Sequence, residues 1–203
     1  MNNNKRITKN VYKKGQTHFN VGVQGDTYSK LIKLVGGFEK NEKVFDAGCA
    51  NGILSKYLKD VILIGGDLNV KTGEKIPGYY KTLKCDIEKK ISLKNKDVDS
   101  VVSISVFQYL DDIDSAFKEC IRIAKKRVII NIPNSKFLKL KFLFDQSKIR
   151  NVNYLDTKSL EDLGKRHNVR VKIIYLSNKF DYLRKIFGNY LSGGIIGIYE
   201  FDS

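Results

Sequence analysis

The sequence predicts an α/β fold in which a doubly wound, mostly parallel sheet of seven strands ends in an antiparallel C-terminal strand pair. Two observations lead to this prediction. Short apolar segments alternate with amphipathic segments of helical period between residues 43 and 132, as they do where helices cross over between parallel strands. The last two apolar segments, 169–176 and 194–201, have no convincing crossover between them, so we expect them to pair antiparallel.

The predicted elements follow one another in a regular order. A helix capped by Asp26 and stopped by Gly36 and Gly37 precedes the first strand. The strands are predicted at 43–47, 61–65, 79–85, 98–107, 127–132, 169–176 and 194–201. The other helices are predicted at 51–59, 111–124 and 157–167. Residues 134–154, which are rich in Phe, Leu and Lys, fit neither pattern and lie where an insertion could cover a substrate.

The length and cysteine content indicate a single reduced domain. A chain of 203 residues can bury one sizeable core, and we predict one domain over residues 1–203. The three cysteines have no C-x-x-C spacing, so we expect free thiols and neither a disulfide framework nor a cysteine zinc site. Because no apolar run reaches the roughly 20 residues of a membrane span and residues 1–6 lack a signal-peptide core, we expect a soluble, cytoplasmic protein.

The chain is strongly basic. It has 37 Lys and Arg against 22 Asp and Glu, a formal net charge of +15. Such a field attracts polyanions over about one Debye length, so nucleic acid or anionic lipid are conceivable partners. Lys and Ile are abundant throughout the sequence, however, and a general compositional bias explains the same charge. A nucleic-acid partner therefore stays open but is not favoured.

A glycine-containing loop, Asp46-Ala-Gly-Cys-Ala-Asn-Gly52, follows the first predicted strand. A glycine turn between a strand and a helix lets the backbone approach a ligand at the carboxyl edge of the sheet. Dinucleotide sites present a G-x-G-x-x-G turn to a pyrophosphate, whereas here Asp46 precedes the glycines and Ala50 interrupts them. A carboxylate at this place disfavours phosphate and suits a cationic ligand, such as one with an ammonium or sulfonium group.

Two further strands also end in an aspartate. Asp67 follows the second strand at a spacing suited to a carboxylate that accepts both hydroxyls of a ribose. Asp86 follows the third strand, where it can accept from an adenine amino group while Ile87 covers the ring. Each aspartate alone also fits a helix cap or a turn. Their occurrence in order at the ends of three successive strands favours a nucleoside-like ligand.

This pattern resembles the class I S-adenosylmethionine-dependent methyltransferases, whose fold is Rossmann-like. The family's glycine motif looks like residues 44–52, its fourth-strand motif is similar to residues 99–109, and the resemblance extends from about residue 38 to residue 133. Later segments are most similar to the type 11, MetW-like branch. The sequence departs from the family pattern at two positions. Ala50 replaces the usual glycine, a change that should be tolerated because the alanine side chain is small. Tyr109 stands where many small-molecule methyltransferases have His.

The resemblance implies S-adenosylmethionine as the cofactor and S-adenosylhomocysteine as the product. It divides the chain into an N-terminal arm and covering helix (1–37), a cofactor-binding core (38–133), and a substrate-side insertion with the C-terminal strands (134–203). It implies no metal. The residues expected to bind the cofactor are Asp46, Gly48, Cys49, Ala50, Gly52, Asp67, Leu68, Asp86, Ile87 and Ser105.

The catalytic residues are less clear from the sequence. Methyl transfer from a sulfonium needs alignment and exclusion of water, and a base is required only where the acceptor must lose a proton. His18 and Tyr109 are the candidates for such a base, whereas His167 lies at a predicted helix end away from the cofactor edge. Other candidate substrate contacts, for which ordinary packing is the competing interpretation, are Tyr28, Asn131 and Tyr154.

The sequence therefore predicts a methyltransferase that acts on an oxygen or nitrogen atom of a small molecule. The alternatives are a methyltransferase-like partner subunit without turnover, an RNA methyltransferase, and a nicotinamide-dependent oxidoreductase. The last of these would have glycine at position 50 and no acid at position 46. The sequence Ser105-Val-Phe-Gln108 differs from the motif of enzymes that methylate exocyclic base amines, and no Pro-Cys or Thr-Cys pair ends a strand as cytosine-C5 methylation requires.

Overall fold

The computed structural model describes residues 25–71, 75–134, 153, 155–176 and 193–201. The strands are β1 (Lys43–Ala47), β2 (Ile62–Asp67), β3 (Lys81–Lys84), β4 (Val98–Ile104), β5 (Ala124–Pro133), β6 (Arg170–Leu176) and β7 (Gly194–Glu200). The α-helices are α1 (Gly25–Leu34), α2 (Ile113–Ile123) and α3 (Thr157–Arg166). Single 3-10 turns occupy Ile53–Lys56 and Phe107–Tyr109.

All seven strands form one sheet in the order β3-β2-β1-β4-β5-β7-β6. Strands β1 to β5 pair in parallel, and β7 lies antiparallel between β5 and β6. The predicted Rossmann-like, doubly wound sheet with an antiparallel C-terminal pair is therefore confirmed. The order of strands reverses between β1 and β4, and ligands of such folds bind at the carboxyl ends of the strands beside this reversal.

The strands bury side chains on both faces of the sheet. Alternate residues of a strand point to opposite faces, so Phe45 packs on one side with Phe117 of α2 and Val44 packs on the other with Leu31 of α1. Helix α3 joins α2 on the first face through Leu160 and Leu163, and the turn at 53–56 joins α1 on the second. The site edge of the sheet is thus held from both sides.

A half-buried arginine attaches α1 to the sheet. Arg127 of β5 donates to the carbonyl oxygens of Val35 at 3.0 Å and Gly37 at 2.6 Å, just past the end of α1. Its charge is balanced by the buried carboxylate of Glu42, whose oxygen lies 3.6 Å from the guanidinium. Gly36 and Gly37 have φ values of 82° and 75°, which confirms the predicted glycine stop of this helix.

The predicted helix at 51–59 is wrong, because the chain forms only the 3-10 turn at 53–56. Gly52 begins the turn with φ at 78°, and its carbonyl oxygen accepts both the N–H and the hydroxyl of Ser55. These bonds close the turn at 3-10 spacing and compete with an α-helical ladder. Asp60, with φ at 58°, then turns the chain toward β2.

Two strands are shorter than predicted. The strand predicted at 98–107 ends at Ile104 because Ser105 takes φ at 57° and Phe107 begins a 3-10 turn that buries its ring. The strand predicted at 79–85 is confined to Lys81–Lys84. His18, Tyr154 and nearly all of the predicted insertion lie outside the described residues. Among the described residues, no helix is long and apolar enough to cross a membrane.

Candidate functional site

A cleft of about 190 Å³ opens at the carboxyl ends of β1, β2 and β4, where the strand order reverses. The segments that form it are the loop after β1, the ends of β2 and β4, the residues after β3, and one side chain from α1. Its lining consists of Tyr28, Gly48, Ala50, Gly66, Asp67, Leu68, Cys85, Asp86, Ile87, Ile104, Ser105, Val106, Tyr109 and Leu110.

The cleft brings together most of the site residues expected from the sequence. Seven of the expected cofactor residues line it, together with the candidate base Tyr109 and the candidate contact Tyr28; the seven are Gly48, Ala50, Asp67, Leu68, Asp86, Ile87 and Ser105. Asp46, Cys49 and Gly52 are not among the lining residues. Five lining residues were not predicted: Gly66, Cys85, Ile104, Val106 and Leu110. Each is a direct neighbour in the chain of a predicted residue, so the positions of the strand ends could have indicated them.

The loop after β1 is tied to the end of β2. The N–H groups of Gly48 and Cys49 both donate to the carbonyl oxygen of Gly66, at 2.7 and 3.1 Å. Gly48 has φ at 87°, and a Cβ atom there would lie only 2.3 Å from a methyl group of Val106. This position therefore needs glycine for both its backbone angle and its space. The glycine that the sequence singled out lets the loop pack against the segment after β4.

Asp67 organises the same loop through its carboxylate. One oxygen accepts the N–H of Ala50 at 3.0 Å, and the other accepts the N–H of Asn69 at 2.9 Å. Ala50 has φ at 44°, in the left-handed region that favours glycine. Each carboxylate oxygen can accept more than one hydrogen bond, so Asp67 can hold the loop and still accept from a ligand in the cleft.

Asp86 makes a turn after β3 and also lines the cleft. Its carboxylate accepts the N–H of Glu88 at 3.1 Å and its carbonyl oxygen accepts the N–H of Lys89 at 2.9 Å, which makes a turn. The residue also lines the cleft beside Ile87, whose side chain is buried. The turn fixes the direction in which both residues meet the cleft.

Asp46 lies behind the loop as a buried carboxyl group. Only 4% of the residue is exposed, and the Tyr79 hydroxyl donates a hydrogen bond to its carboxyl group. Burial raises the pKa of Asp46 to about 7, the hydrogen bond from Tyr79 lowers it, and the nearby charge of Asp67 raises it. Burial, followed by the charge of Asp46, also raises the pKa of Tyr28 to about 12.

The charge of the cleft differs from that of the whole chain. The described lining contains the carboxylates of Asp67 and Asp86 and no Lys, Arg or His, although the chain has a net charge of +15. Cys85 contributes a neutral thiol, since burial raises its pKa to about 12. Within the described ranges, no group of His, Cys, Asp or Glu is placed to hold a metal ion. This donor set suits a ligand that carries hydroxyl groups and positive charge and has no phosphate.

Comparison with known proteins agrees with this chemistry. A family model described as a methyltransferase domain matches residues 45–132, which run from β1 through β5 and include every lining residue except Tyr28. This match identifies residues 45–132 as a methyltransferase domain, consistent with the class I S-adenosylmethionine-dependent methyltransferase superfamily. The predicted resemblance is thereby confirmed, and this family implies S-adenosylmethionine as the cofactor of the methyltransferase domain.

Solved structures of methyltransferases share the fold along nearly the whole chain. One from Thermotoga maritima, a possible histamine N-methyltransferase, has a TM-score of 0.70 at 19% identity and covers 97% of this chain and 99% of its own. One from Archaeoglobus fulgidus has a TM-score of 0.66 at 18% identity and covers 88% of this chain and 95% of its own. A chain of the complex between the Haloferax volcanii Trm112 methyltransferase activator and a methyltransferase has a TM-score of 0.61 at 14% identity, covering 98% of both chains. No curated protein matches the sequence.

The remaining catalytic and contact candidates of the methyltransferase domain have different surroundings. Tyr109 lies in the cleft at the end of the 3-10 turn after β4. Asn131 is buried in β5, where its side-chain amide donates to the carbonyl oxygen of Ile195 at 3.2 Å. His167 caps α3, lies 3.0 Å from a carboxylate oxygen of Asp114, and is not a lining residue. Of these three, only Tyr109 is placed to meet a ligand in the cleft.

Proposed function

We propose that this methyltransferase domain transfers a methyl group from S-adenosylmethionine to an oxygen or nitrogen atom of a small molecule. The observation that supports this proposal is the cleft itself, whose described lining has two carboxylates and no cation in a protein of net charge +15. A nucleic-acid acceptor presents phosphates, which proteins commonly neutralise with Lys and Arg side chains. The described lining offers none.

We assign the cofactor contacts as follows. Asp67 accepts from the ribose hydroxyls, because its carboxylate lies at the end of β2 and keeps free acceptor capacity beside its two backbone bonds. Asp86 accepts from the adenine amino group while Ile87 covers the ring. The backbone around Gly48 meets the methionine part, where a side chain would collide with Val106.

The chain's own contribution to the reaction is orientation and exclusion of water. The bound cofactor supplies a methyl group already activated by a sulfonium, so the protein must align the acceptor with it. Tyr28, from α1, and Tyr109 and Leu110, from the segment after β4, also line the cleft. The pKa of Tyr28, raised to about 12, makes its hydroxyl a poor base at neutral pH. Tyr28 is therefore not the base for an acceptor that must lose a proton, and Tyr109 is the remaining candidate in the described lining.

Calorimetric titration tests the assignment of the cofactor cleft. The wild-type chain is titrated with S-adenosylmethionine, S-adenosylhomocysteine and NADH, and compared with Asp67→Ala. We expect the wild type to bind the first two ligands and not NADH. The Asp67→Ala variant should bind them about 10- to 100-fold more weakly, since hydrogen bonds to a charged group are worth about 1.5–3 kcal/mol.

Asp60→Asn is the matched control, because Asp60 is exposed in the connection between β1 and β2 and its left-handed backbone tolerates Asn. Its affinity should equal that of the wild type. Equal binding of NADH, or equal loss in both variants, would contradict the assignment.

An acceptor screen then separates the alternatives. Formation of S-adenosylhomocysteine is measured with amines, phenols and carboxylic acids, and in parallel with RNA. We expect turnover with a small molecule. Turnover only with RNA would support the RNA methyltransferase that the net charge makes conceivable. Cofactor binding without turnover would instead indicate a subunit that works with a partner.

A further inference from the structure

A short segment, Ile76–Tyr79, packs against the back of the cofactor loop; we call it the brace. Gly52, which closes the loop, faces this segment so closely that a Cβ atom there would lie 2.2 Å from Ile76 and 2.9 Å from the Tyr79 ring. The Ser55 hydroxyl, which donates to the Gly52 carbonyl oxygen, also lies 3.1 Å from the Pro77 carbonyl oxygen. The brace therefore contacts the loop and the 3-10 turn that follows it.

Tyr79 reaches from the brace to the first residue of the loop. The Tyr79 ring also lies against the β2 backbone, since a Cβ atom on Gly65 would be 3.0 Å from the ring. Its hydroxyl donates to Asp46, and its ring packs with Cys49. Tyr79 thus contacts both ends of the loop, at Asp46 and at Gly52, without lining the cleft.

The loop needs this support because no α-helix follows it. The chain makes a single 3-10 turn where the sequence predicts a helix, so the loop lacks a long element to anchor its far end. Tyr79 supplies an aromatic contact and a hydrogen bond at that place instead. Its hydroxyl stays protonated, because partial burial and then the charge of Asp46 raise the pKa of Tyr79.

Asp46 is also electrically coupled to the cleft. The charge of Asp67, from β2, raises the pKa of Asp46, and the charge of Asp46 raises the pKa of Tyr28, from α1. Asp67 and Tyr28 both line the cleft. The other titratable groups that face it are Tyr79 of the brace and Cys49 of the loop. Within the described residues, no cation faces this carboxyl group. A positive charge brought into the cleft would therefore be the partner that favours its ionised form.

We propose that Tyr79 is a positioning residue for cofactor binding and that the Asp46 carboxyl group, held by Tyr79, releases its proton to solvent when the cationic cofactor binds. The step breaks the O–H bond of the acid and leaves a carboxylate that accepts from the tyrosine hydroxyl. The inference rests on the cofactor assignment of the cleft and does not depend on the identity of the methyl acceptor.

The sign of the pH dependence follows from the raised pKa of Asp46, which is about 7 in the free protein. Below that pH the carboxyl group is neutral, and binding of a cation must include loss of a proton. Affinity for S-adenosylmethionine therefore rises with pH through the neutral range and levels off above it. S-adenosylhomocysteine lacks the sulfonium charge, so its affinity should depend less on pH.

The test is calorimetric titration of the wild type, Tyr79→Phe and Asp46→Asn with both ligands, from about pH 6 to about pH 9, in two buffers of different ionisation enthalpy. The buffer comparison counts protons released on binding. Tyr80→Phe is the matched control, because Tyr80 is the adjacent tyrosine and is 80% exposed. Thermal unfolding of each variant confirms that it is folded.

We expect the wild type to release protons on binding S-adenosylmethionine near pH 7, and Asp46→Asn to release none. Tyr79→Phe loses the bond that lowers the pKa of Asp46, so its affinity falls at neutral pH, by about tenfold for a shift of one pKa unit, and recovers at high pH. Tyr80→Phe should match the wild type.

A loss of affinity in Tyr79→Phe that is the same at every pH, with unchanged proton release, would overturn the proposal in favour of a purely structural contact. Unchanged binding in Tyr79→Phe would overturn it as well. A wild type that binds neither ligand would instead overturn the proposed function on which the inference rests, so the two failures are distinguishable.

Discussion

The two halves of the sheet differ in how they are held. The half formed by β4, β5, β7 and β6, which we call the long half, has strands of seven to ten residues, with α2 and α3 on one face and α1 on the other. The half formed by β1, β2 and β3, which we call the short half, has strands of four to six residues. The connection 85–97, which the structure describes completely, contains no helix.

The difference separates stability from ligand binding. In the long half, apolar side chains such as Phe117 and Tyr199 fill the space between layers. In the short half, glycines let backbone pack on side chains, as at Gly66, where a Cβ atom would lie 2.4 Å from the Phe45 ring. Close backbone packing leaves N–H groups and carboxylates at the sheet edge, where a ligand can meet them. We therefore expect substitutions in the two halves to affect different measurements.

Removal of a large core side chain from the long half should have the largest effect. Phe117 is fully buried, with its ring centroid 4.5 Å from that of Tyr199 and 5.1 Å from that of His167. Phe117→Ala should lower the free energy of unfolding by about 3–5 kcal/mol, measured by urea denaturation. Leu83→Ala in β3, which is only partly buried, should cost about 1 kcal/mol. Similar losses in both variants would contradict the comparison.

A substitution in the glycine loop, residues 46–52, should affect cofactor binding as well as stability. Gly48→Ala places a methyl group 2.3 Å from Val106 at φ 87°, so we expect loss of cofactor binding and a lower unfolding free energy, by about 1–3 kcal/mol. Gly36→Ala is the control, because Gly36 has φ at 82° and nothing within 4 Å of the added atom. It should lose only about 1 kcal/mol and bind the cofactor normally. Calorimetry and urea denaturation of both variants distinguish crowding from backbone strain.

The sequence predicted the long half better than the short half for a physical reason. Alternating apolar residues and helix caps are local signals, and in the structure Asp112 caps α2 and Asp156 caps α3. Where a helix was predicted at 51–59, Ser55 instead bonds the carbonyl oxygen of Gly52, and its hydroxyl also lies within hydrogen-bond distance of the Pro77 carbonyl oxygen, 22 residues away. No local pattern shows such a contact.

The candidate site divides in the same way. Residues at strand ends, such as Asp67 and Ile87, could be expected from spacing and from the family resemblance, and the structure places them in the cleft. The surroundings of Asp46 could not be predicted from the sequence, because its hydrogen-bond donor, Tyr79, lies 33 residues away. A carboxyl group's sequence position gives neither its burial nor its partner, and these decide whether it is charged at neutral pH.

The smallest expected effect is at Ala50, where the sequence departs from the family's usual glycine. Ala50 has φ at 44°, so Ala50→Gly relieves left-handed strain while it makes the unfolded chain more flexible. The net change should raise the unfolding free energy by about 0.5–1 kcal/mol, measured by urea denaturation. Cofactor affinity should stay the same, because the N–H of residue 50 still donates to Asp67. A less stable variant would mean that the Ala50 methyl group makes a packing contact that outweighs the strain, and the loop would then resemble the long half in depending on side chains.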